Sequence, residues 1–253
     1  KGVAMQLLWQ IEEDDIRKIK AFYEAQKNNA FVLNRFDRNV KKNLPAFTKE
    51  LFWEAMISCL MTTQQRSGPD SSVTKFICTK PFPLNYHKCK STDLIQSIVE
   101  KTITSFGGLR RGKTIGQEVE ANYEWLHNGG WEIINVIIKE ISENQTRNIE
   151  RKCAEIIIDN LKGFGPKQSR NLLQSLGLTK YEIPVDSRIA KWLTEFGFPI
   201  KLSATALSDK NYYNFVLDGF QIICEACEVF PCVMDAAIFS SFDAEWPEER
   251  LVW

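Results

Sequence analysis

The sequence has no excess of charge of either sign. Its 253 residues carry 32 Lys plus Arg against 32 Asp plus Glu, a formal net charge of zero. That excludes a histone-like polycation or a tail-driven binder of nucleic acid, though not a local basic face. Long apolar runs are also missing, and nothing approaches the ~20 residues that cross a bilayer. No membrane partner is therefore expected. The opening Lys1-Gly2-Val3-Ala4 leads into Glu12, Glu13, Asp14 and Asp15, without the apolar stretch of a secretory signal. An initial Met is absent, so a trimmed N-terminus is expected. There is no internal repeat and no low-complexity linker.

Cysteine is present, but not in a number or spacing that builds a framework. The seven are scattered, which reads as reduced and intracellular, in the cytoplasm or nucleoid if the source is prokaryotic. Cys224, Cys227 and Cys232 fall within nine residues. Zinc and iron–sulfur sites usually take four ligands, so these three thiols are expected to be small apolar fillers. No side-chain metal site, no iron–sulfur cluster and no required cofactor are expected.

What the sequence has is helical periodicity. After Thr48, a plausible N-cap, Leu51, Phe52, Ala55, Met56, Cys59 and Leu60 mark one helical face. The pattern returns at Leu94, Ile95, Ile98, Val99 and Ile103, with Ser91 or Thr92 as the cap, at Ile149 to Leu161, and over residues 209 to 223. Breaks are expected at Ser67-Gly68-Pro69-Asp70, Lys80-Pro81-Phe82-Pro83, Gly107-Gly108, Asn128-Gly129-Gly130 and Gly163-Phe164-Gly165-Pro166. Two-residue alternation is almost absent. The fold class is all-α, with roughly ten helices and short connections.

The last of those breaks is the most informative. An apolar helix runs into Leu161-Lys162-Gly163-Phe164-Gly165-Pro166-Lys167-Gln168-Ser169. Gly163 and Gly165 permit positive φ, Pro166 suits a first helical turn, and small Ser169 lets two helices approach. Such a turn offers backbone N–H groups of Gly163, Phe164 and Gly165 to a phosphate at a helix N-terminus. The carbonyls of Leu161 and Gly163 are candidates to hold a sodium or potassium ion. This helix-hairpin-helix pattern grips a DNA backbone without reading bases.

Nineteen residues after Lys167 stands Asp186, within Ile183-Pro184-Val185-Asp186-Ser187-Arg188. With this pair the chain resembles the helix-hairpin-helix base-excision DNA glycosylases. The spacing is most similar to the 8-oxoguanine DNA glycosylase/lyase branch. The specific likeness covers residues 149 to 192, and the helical pattern extends it loosely over most of the chain. It implies two helical domains, residues 48–180 as a barrel ending in the hairpin and 1–47 plus 181–253 as the second, with the active site in the cleft between them. It implies a monomer acting on double-stranded DNA that contains a damaged base. Lys167 would be the nucleophile that forms a Schiff base and nicks the strand by β-elimination. Asp186 would stabilise the oxocarbenium-like sugar, and also fits as the cap of the next helix.

The resemblance gives other residues a role. Leu60-Met61-Thr62-Thr63-Gln64-Gln65-Arg66 resembles the segment that refills the gap left by a flipped nucleotide, with Gln64 or Gln65 as wedge and Arg66 at the orphaned base or a phosphate. Arg110, Arg111 and Lys113, in an acid-free stretch, look like a second backbone-contacting loop, and Arg188 a further contact. Arg35, Arg38, Lys41 and Lys42 could extend that basic side, whereas the region after Thr205 is acidic. Asn171, Phe239 and Phe242 are the base-pocket candidates. Departures exist: Asn171 stands where the animal-type enzyme has Cys, and Arg188 where it has His. An alkylated base or oxidised pyrimidine as substrate, or a non-catalytic DNA-binding module, remain the alternatives.

Overall fold

The computed structural model describes residues 8–91 and 94–242. Among these, all regular structure is helical. The chain opens with α1 (Glu13–Gln26) and α2 (Ala30–Arg35), the latter running into a π-helical turn at Phe36–Val40. There follow α3 (Lys49–Met61), α4 (Ser72–Cys78), α5 (Tyr86–Lys90), α6 (Ile95–Phe106) and α7 (Gly112–Trp125). A second π turn, Leu126–Gly130, leads into α8 (Trp131–Glu143). Next come α9 (Arg147–Asn160), α10 (Pro166–Ser175), α11 (Ser187–Glu195), α12 (Lys210–Ala226) and α13 (Pro231–Phe242).

Local chemistry explains most of the boundaries. Thr48 caps α3, its Oγ1 accepting from the Leu51 N–H at 3.1 Å. Thr146 and Asp209 cap α9 and α12 in the same way. The start of α6 differs from expectation. Ser91 closes α5 instead, Leu94 precedes the first turn of α6 without a side-chain cap, and Thr92 lies outside the described residues. At Asn128 and Gly129 the backbone leaves helical geometry, with Gly129 at φ 100°, so α7 and α8 meet across a kink.

The helices pack in two neighbourhoods. In one, α13 contacts α1, α2, α11 and α12. In the other, α10 lies on α3 and α9, α6 on α7, and α8 on α9. The buried apolar side chains of both join in a single cluster that includes Trp53, Met56, Trp192 and Tyr213. Cys224, Cys227 and Cys232 are buried in it, and burial pushes the Cys232 thiol up to about 12. Among the described residues, no three His, Cys, Asp or Glu side chains group as a metal site, and no helix is long and apolar enough to cross a membrane.

Candidate active site

The turn between α9 and α10 is held from behind. Asn122 of α7, itself buried, donates to the Lys162 carbonyl at 3.0 Å and accepts from its N–H at 2.7 Å. The Phe164 N–H bonds back to the Leu161 carbonyl at 3.4 Å. Gly163 sits at φ 83°, and a Cβ there would meet Leu60 at 2.6 Å and Glu118 at 2.8 Å, so only glycine fits.

One expectation for this turn needs correction. Gly165 is extended and makes no use of positive φ. Its missing Cβ matters differently, since an added one would meet nothing within 4 Å and the turn is open on that side. Phe164 is 5% exposed, so its side chain anchors the turn in the core and only its backbone can face a nucleic acid. Pro166 occupies the first turn of α10 as expected, and no side chain caps that terminus. Lys167 follows, half-buried. Asn171 lies one turn on, its amide donating to Gln168 Oε1 at 3.2 Å.

Asp186 caps α11: its Oδ1 accepts from the N–H groups of Arg188 at 2.8 Å and Ile189 at 3.1 Å. The strand-like segment before it is fixed by residues with no local sequence signal. Buried Glu150 accepts the consecutive N–H groups of Lys180, Tyr181 and Glu182 at 2.8–2.9 Å. The Tyr213 hydroxyl donates to the Ile183 carbonyl at 2.9 Å and accepts from the Val185 N–H at 2.7 Å. Glu182 pairs at 2.8 Å with Arg170 of α10, both side chains being fully buried. Arg151 also reaches Glu182. The helix of Lys167 and the segment of Asp186 are therefore joined by a buried ion pair. α10 is also tied to α13 and α2 through Asp235, whose carboxylate bonds Arg35 at 3.0 Å and Gln174 of α10 at 2.8 Å. Burial raises the Asp235 pKa; Arg35 opposes that shift, while the nearby Asp186 charge adds to it.

The segment after α3 meets the stretch 107–113, the loop before α7 and its first turn. Gln64 is exposed, with φ 56°. Gln65 is turned inward, donating to the Met61 carbonyl at 3.0 Å and accepting from the Arg110 N–H at 2.7 Å, so of the two candidates only Gln64 points away from the loop's own bonds. Arg110 donates to the Gln64 carbonyl at 2.9 Å, and Arg111 to the Thr63 carbonyl at 3.4 Å and to Glu118 at 3.2 Å. These two guanidiniums brace the loop that carries Gln64, Arg110 remaining exposed and Arg111 half-buried. Arg66 and Lys113 are exposed.

Other candidates are engaged elsewhere. Arg188 reaches Asp186 Oδ2 at 3.5 Å and lies 4.2 Å from the centroid of the Phe239 ring. That ring also stacks on Phe31 at 4.9 Å, and Phe242 packs under Lys191. Arg35 is buried against Asp235. Arg38 donates to the Ser175 carbonyl and Lys42 to those of Gly177 and Leu178, so both serve the C-terminal end of α10. A cavity of about 850 Å³ opens at that end of α10, lined by Ser58, Cys59, Ser175 and Arg38 among others. Ser175 lies about 12 Å along the helix from Lys167. Asn171, Phe239 and Phe242 do not line this cavity. The Cys59 thiol is pushed by burial to about 12, and Lys167 partly opposes that shift.

Three solved structures share this architecture. The 8-oxoguanine DNA glycosylase of Methanocaldococcus jannaschii superposes with a TM-score of 0.68 at 14% identity, covering 93% of this chain and 98% of its own. The chain has the helical fold of the 8-oxoguanine DNA glycosylases. The M. jannaschii glycosylase/lyase in complex with a 15mer DNA containing 8-oxoguanine matches equally, at 0.68 and 14% over 91% of this chain and 100% of that one. The 8-oxoguanine DNA glycosylase of Thermotoga maritima gives 0.64 at 13% identity over 93% and 99%. No protein-family model matches the sequence, and no curated protein matches it significantly.

Proposed function

We propose that the chain is a base-excision DNA glycosylase with lyase activity that removes 8-oxoguanine from double-stranded DNA. One observation carries the reading. Lys167 stands in the first turn of an uncapped helix, beside the open face of Gly165, and Arg170 of the same helix is tied to the segment that ends in Asp186. An N-terminal turn without a side-chain cap suits a phosphate, and its missing Cβ lets a DNA backbone approach. The shared fold with glycosylases, one of them crystallised with 8-oxoguanine DNA, supports the same reading.

The chemistry follows from the two side chains. Unprotonated Lys167 Nζ attacks C1′ of the flipped nucleotide as the C1′–N9 bond breaks, and the base leaves with a proton. Asp186 faces the positive charge that develops on the sugar. The amine adduct becomes an imine on opening of the sugar ring. Loss of a C2′ proton then expels the 3′ phosphate and nicks the strand. A monovalent cation would be held by the hairpin carbonyls of Leu161 and Gly163 and would supply positive charge beside a phosphate.

Borohydride trapping on duplexes carrying one 8-oxoguanine, one thymine glycol, one 3-methyladenine-type lesion or one abasic site tests this. A covalent adduct with 8-oxoguanine DNA is expected, absent in Lys167→Gln. Asp186→Asn should slow base release yet keep the α11 cap and DNA binding, since Asn also caps helices. Wild-type lyase activity in Lys167→Gln would sink the assignment. An adduct on abasic DNA alone would keep the nucleophile and move the substrate to another base.

A further inference from the structure

We infer that Gln168 is a positioning residue that locks the loop carrying Gln64 to the helix carrying Lys167, so that wedge insertion and delivery of C1′ to the amine are geometrically coupled. The inference rests on the glycosylase reading above and adds a residue that neither the hairpin pattern nor the Lys–Asp pair singles out.

The residue next to Lys167 has a primary amide buried at 6% exposure. Its Nε2 lies 2.7 Å from the Cys59 carbonyl, 2.7 Å from Thr63 Oγ1 and 3.0 Å from Thr62 Oγ1. Three acceptors thus surround two protons, all of them in the last turn of α3 or just beyond it. Its Oε1 accepts from Asn171 at 3.2 Å, so the amide also keeps contact with its own helix. Gln64 follows Thr63 directly, is exposed, and holds a left-handed backbone. A non-glycine residue there needs its neighbours to fix it. The stretch 107–113 fixes it from one side, through Arg110 on the Gln64 carbonyl and Arg111 on the Thr63 carbonyl. Gln168 fixes it from the other, and it alone of these belongs to the helix of Lys167. An apolar side chain of similar size would fill the space but remove the donor that the Thr62 and Thr63 hydroxyls share, and leave the Cys59 carbonyl to Thr62 alone.

A double-variant cycle on the full chain tests this, with Gln64→Ala, Gln168→Leu and the pair. Three quantities are read: release of 8-oxoguanine from a duplex, borohydride trapping on a preformed abasic duplex, and fluorescence of a 2-aminopurine placed opposite the lesion, which reports insertion. Gln168→Leu should lower base release about tenfold more than abasic trapping and remove the fluorescence change, and Gln64→Ala should do the same. The pair should be no worse than the poorer single variant, within about twofold, because both remove one coupled act. Additive losses, or equal loss of base release and abasic trapping, would overturn the proposal and leave the glycosylase reading standing. A wild-type protein that neither releases a base nor traps on abasic DNA would overturn both. Should Gln168→Leu fail to fold, Gln168→Glu keeps the size, removes the donors and carries the same cycle.

Discussion

The turn before Lys167 and the segment before Asp186 are fixed by opposite means. The turn is held by backbone geometry and one neutral side chain. Asn122 grips Lys162 at two points, Gly163 adopts a conformation closed to other residues, and the face at Gly165 stays open. The approach to Asp186 is held by buried charge: Glu150 on three successive N–H groups, Glu182 between Arg170 and Arg151, and the Tyr213 hydroxyl on the backbone just before the cap. The two proposed catalytic side chains are thus held in two ways. If the turn admits a DNA backbone, as proposed, it cannot be walled in by side chains, so its precision has to come from the main chain. A carboxylate at the edge of the core can be fixed from behind by ions, which are strong in a low dielectric and costly to break.

The two modes should therefore fail differently. The largest effect is expected for Glu182→Ala, which strands Arg170 in the core. Loss of one partner of a buried pair costs about 3–5 kcal/mol, read by urea unfolding. The double variant Arg170→Met, Glu182→Leu should recover much of that, and a double variant no better than the single would show that packing rather than charge holds the segment. Next is Gly163→Ala, which meets both a forbidden φ and the Leu60 and Glu118 side chains. About 2 kcal/mol is expected from left-handed strain and overpacking together. The smallest stability change belongs to Gly165→Ala, within about 0.5 kcal/mol, since the added methyl meets open space. Its effect should instead be weaker binding to duplex DNA in low-salt titrations. Unaltered DNA affinity in Gly165→Ala would break the comparison, because the open face would then serve no ligand.

Much of this was legible in the chain because it is local. The cap at Thr48, the breaks at Gly107-Gly108 and Gly163 to Pro166, and the helices of 149–161 and 209–223 follow from nearest neighbours along the sequence. The Asp186 cap was legible for the same reason. What was not legible is which neighbours Arg110, Arg111 and Arg188 would also engage. Gln64, Thr63 and Phe239 lie 46 to 51 positions from them and leave no periodic trace. Nor does the sequence say that the Phe164 ring dips into the core, since a residue between two glycines carries no periodic signal.

The sequence by itself determined the helices, the hairpin and the two residues of the proposed chemistry, since periodicity, glycine punctuation and capping act over a few residues. Only the tertiary structure decided which side chains brace that chemistry. Glu150, Arg170, Glu182 and Tyr213 meet across 12 to 43 positions. A buried charge or hydroxyl is satisfied by whatever partner the packing of helices delivers to it, and that is a property of the assembled core rather than of any stretch of chain.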